Sequence, residues 1–92
     1  MKIKIKKNVK IREENIGGII RIPKTNNPEM PQYFHVNRVG LEIIKMCDGE
    51  KTRDEIVMKI KSKYLKNENT EDDCNMFINN LFFLNMIDEI RG

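Results

Sequence analysis

Few residues in this chain are of the types that support nucleophilic or metal chemistry: Cys47, Cys74, His35 and the lone serine, Ser62. A nucleophile needs a base held beside it, and the spacing supplies no such pair. Cys47 and Cys74 stand 27 positions apart and form no Cys-x-x-Cys. Both fall on apolar stripes of expected helices, where a thiol is usually inert. Two cysteines do not make the four or more of a disulfide scaffold, so reduced thiols packed as small apolar side chains are expected. One histidine leaves a structural zinc site short of ligands. Glu71, Asp72 and Asp73 are consecutive and splay about 100° apart around a helix, which suits charge at a helix N-terminus better than a paired acid and base. Gly17-Gly18 has neither a Walker lysine nor a strand–loop–helix context. The expectation is a chain with no catalytic residue, no metal site and no cofactor, and hence not an enzyme.

Binding is better served. Residues 1–12 carry six basic side chains and no acid, whereas the other 80 carry 11 basic and 14 acidic groups. A basic arm suits nucleic acid or an acidic partner. Yet Lys2, Lys4 and Lys6 alternate with Ile3 and Ile5, the period of a half-buried strand. Residues 1–8 are therefore read as a basic arm or strand extension, with the domain proper over 9–92. Met76, Asn80 and Phe83 share one face of the last expected helix, beside the stripe that packs inward. Apolar surface rimmed by Asn79 and Asn80 suits a partner better than water. A short strand at Tyr33–Val36, if it lies at a sheet edge, offers unpaired amides and carbonyls to an extended peptide.

The elements that would position these residues follow from pattern and punctuation. At 92 residues, 39% apolar and 34% charged, the chain holds one domain with one modest core. No window approaches the ~20 apolar residues of a membrane span, and the lysine-rich N-terminus lacks the apolar run of a secretory signal, so a cytoplasmic protein is expected. Val9, Ile11 and Glu13 line one face of a first strand, and a turn near Glu14-Asn15 leads through Gly17-Gly18 to Ile19–Ile22. Pro23 to Pro31 reads as a loop, then Tyr33–Val36 as a short third strand. Asn37 caps a first helix that Asp48-Gly49 ends. Thr52 with Glu55 is a capping box for a second. Asn67–Asn69 is a polar break, and Thr70 with Asp73 opens a third, whose core stripe is Cys74, Phe77, Ile78, Leu81 and Leu84. Met86–Ile90 is a short strand or tail. Strands followed by helices, without alternation, give an α+β fold: a winged helix-turn-helix-like unit with a three-stranded antiparallel sheet followed by three helices.

That layout raises DNA binding as an alternative, a winged-helix transcriptional regulator. The third helix would be the reader, but it has no basic residue from Thr70 to Ile87 and opens on three acids, the wrong sign for phosphate. Nucleic acid is therefore not expected as a partner.

From Tyr33 onward the sequence resembles the PqqD-like peptide chaperones, also known as RiPP precursor peptide recognition elements. The resemblance rests on Tyr33-Phe34-His35-Val36-Asn37, then Asp48-Gly49, then Thr52 to Ile56, then Asp73-Cys74-Asn75-Met76-Phe77-Ile78-Asn79-Asn80-Leu81, in that order and spacing. Gly17-Gly18 fits the paired glycine before the second strand. It extends over about residues 9–90. Asn85 departs from it, standing where glycine is usual, and Pro23 to Pro31 lacks the compact glycine turn.

The resemblance implies a non-catalytic domain that binds the leader of a ribosomally made precursor peptide by strand addition and presents it to a modifying enzyme, often a radical SAM enzyme. Carried onto this chain, it implies that the backbone of Gln32 to Val36 pairs with the leader. Tyr33 and His35 would flank it, alternating with the inward Phe34 and Val36. Met76, Asn79, Asn80 and Phe83 would form the opposite wall. An exposed edge strand also leaves room for a homodimer formed through it.

Overall fold

The computed structural model describes residues 1–24, 27–64 and 70–91, with the backbone alone for 23–24 and 27–31. The order is β1 (Lys2–Ile5), β2 (Lys10–Glu14), β3 (Gly17–Lys24), β4 (Asn27–Asn37), α1 (Arg38–Met46), β5 (Asp48–Thr52), α2 (Arg53–Lys63), α3 (Thr70–Phe83) and β6 (Ile87–Ile90). This is the expected α+β class, with a three-stranded antiparallel sheet β2-β3-β4 and three helices. A second small sheet, β5-β1-β6, joins the two ends of the chain.

β1 forms because its alternation is satisfied: Ile3 is buried and Lys4 exposed. It pairs antiparallel with β6, Lys2 opposite Ile90 and Ile5 opposite Ile87, and on its other side with β5. Asp48-Gly49, read only as a helix stop, thus also begins a strand. Gly49 permits this with φ +84°, a left-handed conformation that glycine adopts without a Cβ clash.

The Pro23–Pro31 segment corrects a second expectation. β3 continues to Lys24 and β4 begins at Asn27, so the third strand is 11 residues long rather than a short one. Ile22 opposes Gln32 while Lys24 opposes Asn27, leaving two steps on β3 against five on β4. A bulge absorbs the excess, which is how a strand accommodates proline at a sheet edge. Residues 25–26 lie outside the described residues, as does the polar break at Asn67–Asn69.

The helices start as their caps dictate. The Asn37 side chain accepts from the Gly40 amide at 2.8 Å. Thr52 accepts from the Glu55 amide while Glu55 accepts from that of Thr52, closing the capping box. Thr70, read as a cap, is the first helical residue, and its hydroxyl donates to the Tyr64 carbonyl. One core joins the layers: Ile20 and Ile22 from β3, Leu41, Ile43 and Ile44 from α1, Ile56 and Ile60 from α2, Ile78 and Leu81 from α3, and Ile3 from β1. Among the described residues no helix is long and apolar enough to cross a membrane.

Candidate peptide groove

β4 is an edge strand, paired on one side with β3 and on the other with nothing among the described residues. Asn37 opposes Gly17, Val36 Gly18, His35 Ile19, Phe34 Ile20, Tyr33 Arg21 and Gln32 Ile22. Every second residue along this stretch turns its amide and carbonyl outward, away from β3. The close approach of β3 depends on Gly17, where a Cβ would lie 2.0 Å from the Val36 carbonyl oxygen. Along β4 the side chains alternate: Phe34 and Val36 pack against the core, whereas Tyr33 and His35 are exposed on the other face; Gln32 is on the inner side with Phe34 but is itself exposed.

α1 ties this edge to α3. A Cβ on Gly40 would stand 3.0 Å from Phe77 Cζ and 3.2 Å from Val36 Cβ, so the missing side chain at Gly40 lets the Phe77 ring reach the foot of β4. Phe77 was legible in sequence only as a core position. Here it is half-buried and floors the gap between strand and helix. Its partner signal was Gly40, a glycine inside a helix where it costs about 1 kcal/mol relative to alanine and so needs a packing reason. Beyond Phe77 a cavity of about 730 Å³ opens among Val39, Gly40, Ile43, Tyr64 and Cys74.

On α3, Met76, Asn80 and Phe83 form one solvent-facing stripe next to Phe77, at the 100° step of the helix. Met76 is 63% and Phe83 88% exposed, an unusual presentation for two large apolar side chains about two turns apart on one helix face. Asn79 lies apart. Its Oδ1 accepts from Arg53 Nη1 at 2.8 Å, on the flank toward α2, where Arg53 also stacks over Phe82 at 5.6 Å. The structure thus brings Met76, Asn80 and Phe83 together on the outward stripe of α3 and assigns Asn79 to the α2–α3 contact.

Neither thiol is arranged for chemistry. Cys47 is buried, its Sγ donating to the Ile43 carbonyl at 3.3 Å, and burial together with the nearby Asp48 charge pushes its pKa up to about 12. Burial raises the Cys74 thiol as well. Glu42 is held below the usual carboxylate range by the Lys63 ammonium and by Tyr64, whose hydroxyl donates to it at 2.5 Å. That cluster clasps α1 to the end of α2. Among the described residues no three His, Cys, Asp or Glu side chains converge as metal ligands.

Residues 25–87 match the family model described as Coenzyme PQQ synthesis protein D (PqqD). No curated protein sequence matches the chain. Among solved structures, it is similar to "TbiB1 in Complex with the TbiA(beta) Leader Peptide", with a TM-score of 0.72 and 20% identity over 97% of this chain and 99% of that one. It is also similar to part of the heterocyclase TruD, with a TM-score of 0.68 and 15% identity over 97% of this chain but 11% of that one. At such identities these two likenesses concern the fold. The family match covers most of the chain, including β4, α1, α2 and α3, and on that ground the chain belongs to the PqqD family.

Proposed function

We propose that this protein binds the leader segment of a ribosomally made precursor peptide, which adds a strand to the free edge of β4 beside α3, and that it presents the peptide to a modifying enzyme. The observation that carries this reading is the open backbone of Gln32–Val36, which Gly40 of α1 links to Phe77 of α3, the helix whose outward stripe holds Met76, Asn80 and Phe83. Strand addition of this kind draws affinity from main-chain hydrogen bonds and specificity from pockets for alternate side chains. Phe34, Val36 and Phe77 offer an apolar floor for one set. PqqD family membership and the likeness to a structure described as a leader-peptide complex support it. The modifying enzyme is of radical SAM type in this reading, and the protein itself contributes recognition rather than catalysis. Residues 1–8 act in this reading as a basic strand extension of the 9–92 domain, packed into it through β1, whose Ile3 joins the core, and the protein works in the cytoplasm.

The test is titration of the isotopically labelled protein with the leader peptide of a precursor encoded beside its gene, followed by amide shifts. Shifts at Gln32–Val36 and along Met76–Phe83 are expected. Shifts confined to other surfaces refute the groove. Silence toward the leader, with shifts on adding duplex DNA, moves the function to transcriptional regulation.

A further inference from the structure

The sheet β2-β3-β4 has an outer face, turned away from the helices, that the groove does not use. Residues directly opposed in antiparallel strands share a face, so the register identifies its occupants. Lys10 opposes Arg21, which opposes Tyr33; Arg12 opposes Ile19, which opposes His35. The next row is Glu14, Gly17 and Asn37. Lys10, Arg12 and Arg21 are exposed, and among the described residues none of the three is in an ion pair. Glu13 cannot neutralise them: it opposes Gly18 on the inner face, where Lys45 of α1 holds it. Glu14 is the one carboxylate in these three rows. Two cross-strand rows bearing three unpaired cations thus run to the open edge of β4 and finish at Tyr33 and His35.

A strand added to that edge continues the rows. Its residues opposite Phe34 and Val36 face the groove side, and those opposite Tyr33 and His35 face outward. Successive strands are about 4.8 Å apart, so the added backbone runs about 10 Å from that of Arg21, a span that a guanidinium and a carboxylate side chain bridge across the Tyr33 ring. Lys10 and Arg12, one strand further and about 15 Å from the added backbone, lie beyond a Debye length of about 8–10 Å and add only weakly to the field. We infer that the segment seated on β4 alternates apolar residues toward the groove with aspartate or glutamate on the outer face, and that Arg21 is the specificity-determining cation. The inference rests on the leader-binding reading and names the chemistry of the leader. Tyr33 and His35 are the two rings in these rows, both at the β4 edge with none on β2 or β3 to continue a stack along a nucleic acid strand, so an acidic peptide is the better fit.

The test measures binding of the fluorescein-labelled leader to the full chain by anisotropy, beside a second leader with its Asp and Glu changed to Asn and Gln. The proteins are wild type, Arg21→Glu, Arg21→Gln and, as a groove control, Phe83→Asp. Reversing one exposed charge is expected to weaken the acidic leader about five-fold, with Arg21→Gln falling between. The amidated leader binds wild type and Arg21→Glu alike. Loss of binding in Phe83→Asp with no response to Arg21→Glu overturns this inference alone. No leader binding to wild type overturns the leader-binding reading and this inference with it. Binding of a dT12 oligonucleotide that Arg21→Glu abolishes, with leader affinity unchanged, overturns it in favour of nucleic acid.

Discussion

Phe83 offers the sharpest test of the groove, because its role in folding and its role in binding separate cleanly. Its side chain is 88% exposed on the last turn of α3, so the folded protein gains almost nothing from it. Replacing it with alanine is expected to move folding stability by no more than about 0.5 kcal/mol, the range of surface substitutions away from special features. If the leader covers it, the complex gains nearly the whole transfer energy of a phenylalanine, about 1.5–3 kcal/mol. Phe83→Ala should then weaken leader binding by about 10- to 100-fold at 1.4 kcal/mol per decade. Phe83→Asp should weaken it further by burying a carboxylate without a partner. The aspartate also meets the negative end of the helix dipole, a cost to folding of about 0.3–1 kcal/mol, so alanine is the cleaner probe. Anisotropy titration gives the affinity and urea unfolding the stability. Wild-type affinity in a variant with a wild-type urea midpoint refutes the groove. A loss of stability well above 1 kcal/mol would instead make Phe83 a packed residue and refute the assignment of its face.

Other perturbations address the scaffold. Cys47, with its pKa near 12 from burial, should resist a thiol reagent at pH 8 in the native protein and react once urea unfolds it; rapid native labelling would contradict its place in the core. Glu42 titrates below its unfolded value because Lys63 and Tyr64 stabilise its charge. Its contribution is therefore present above the ordinary carboxylate pKa and lost as pH falls through the depressed one. Glu42→Gln should lower the urea midpoint at pH 7, and by less as the pH is taken down through and below the ordinary carboxylate range; an effect that does not change with pH would refute the assignment. Gly17→Ala forces a Cβ onto the Val36 carbonyl, a backbone group that cannot swing aside, and should cost about 3 kcal/mol or more by overpacking. A thermal melt within 2 °C of wild type would show that β3 and β4 do not approach as described.

The helices were legible because their signals are local. Asn37, and Thr52 with Glu55, each satisfy amides three residues away, so a short window of sequence contains the whole argument. The alternation of Ile3 with lysines was equally local. What escaped was whatever depends on a distant partner. β5 pairs with β1 some 45 positions earlier, and nothing within Asp48–Thr52 distinguishes that pairing from a simple helix stop. Pro23 and the prolines after it report their own missing amides, not the bulge through which β3 and β4 tolerate them. In the groove, the inward and outward sides of β4 followed from alternation alone. Asn79 did not follow, because its partner, Arg53, lies on another helix. Asn85 is a middle case: it takes φ +61° after α3, with Lys6 Nζ donating to its side chain at 2.5 Å. Asparagine is the residue other than glycine that best tolerates that conformation, so its departure from the family's glycine leaves the turn intact.

The antiparallel pairing of β1 with β6 sets Lys2 opposite Ile90, and this has a topological consequence. A polypeptide enters and leaves the fold at one place, on a sheet other than the one that carries β4. Splicing the unit into a loop of a larger protein, or joining it end to end with one, therefore makes the connection through the β5-β1-β6 sheet and not through β4. Mechanically, tension applied through the two ends opens the β1–β6 ladder from its terminal rung, one pair of residues after another, like a zipper rather than in shear. The same geometry makes the fold a natural candidate for circular permutation: a short linker across the ends, with new termini at the exposed turn of Asn15 and Ile16, would preserve every strand pair.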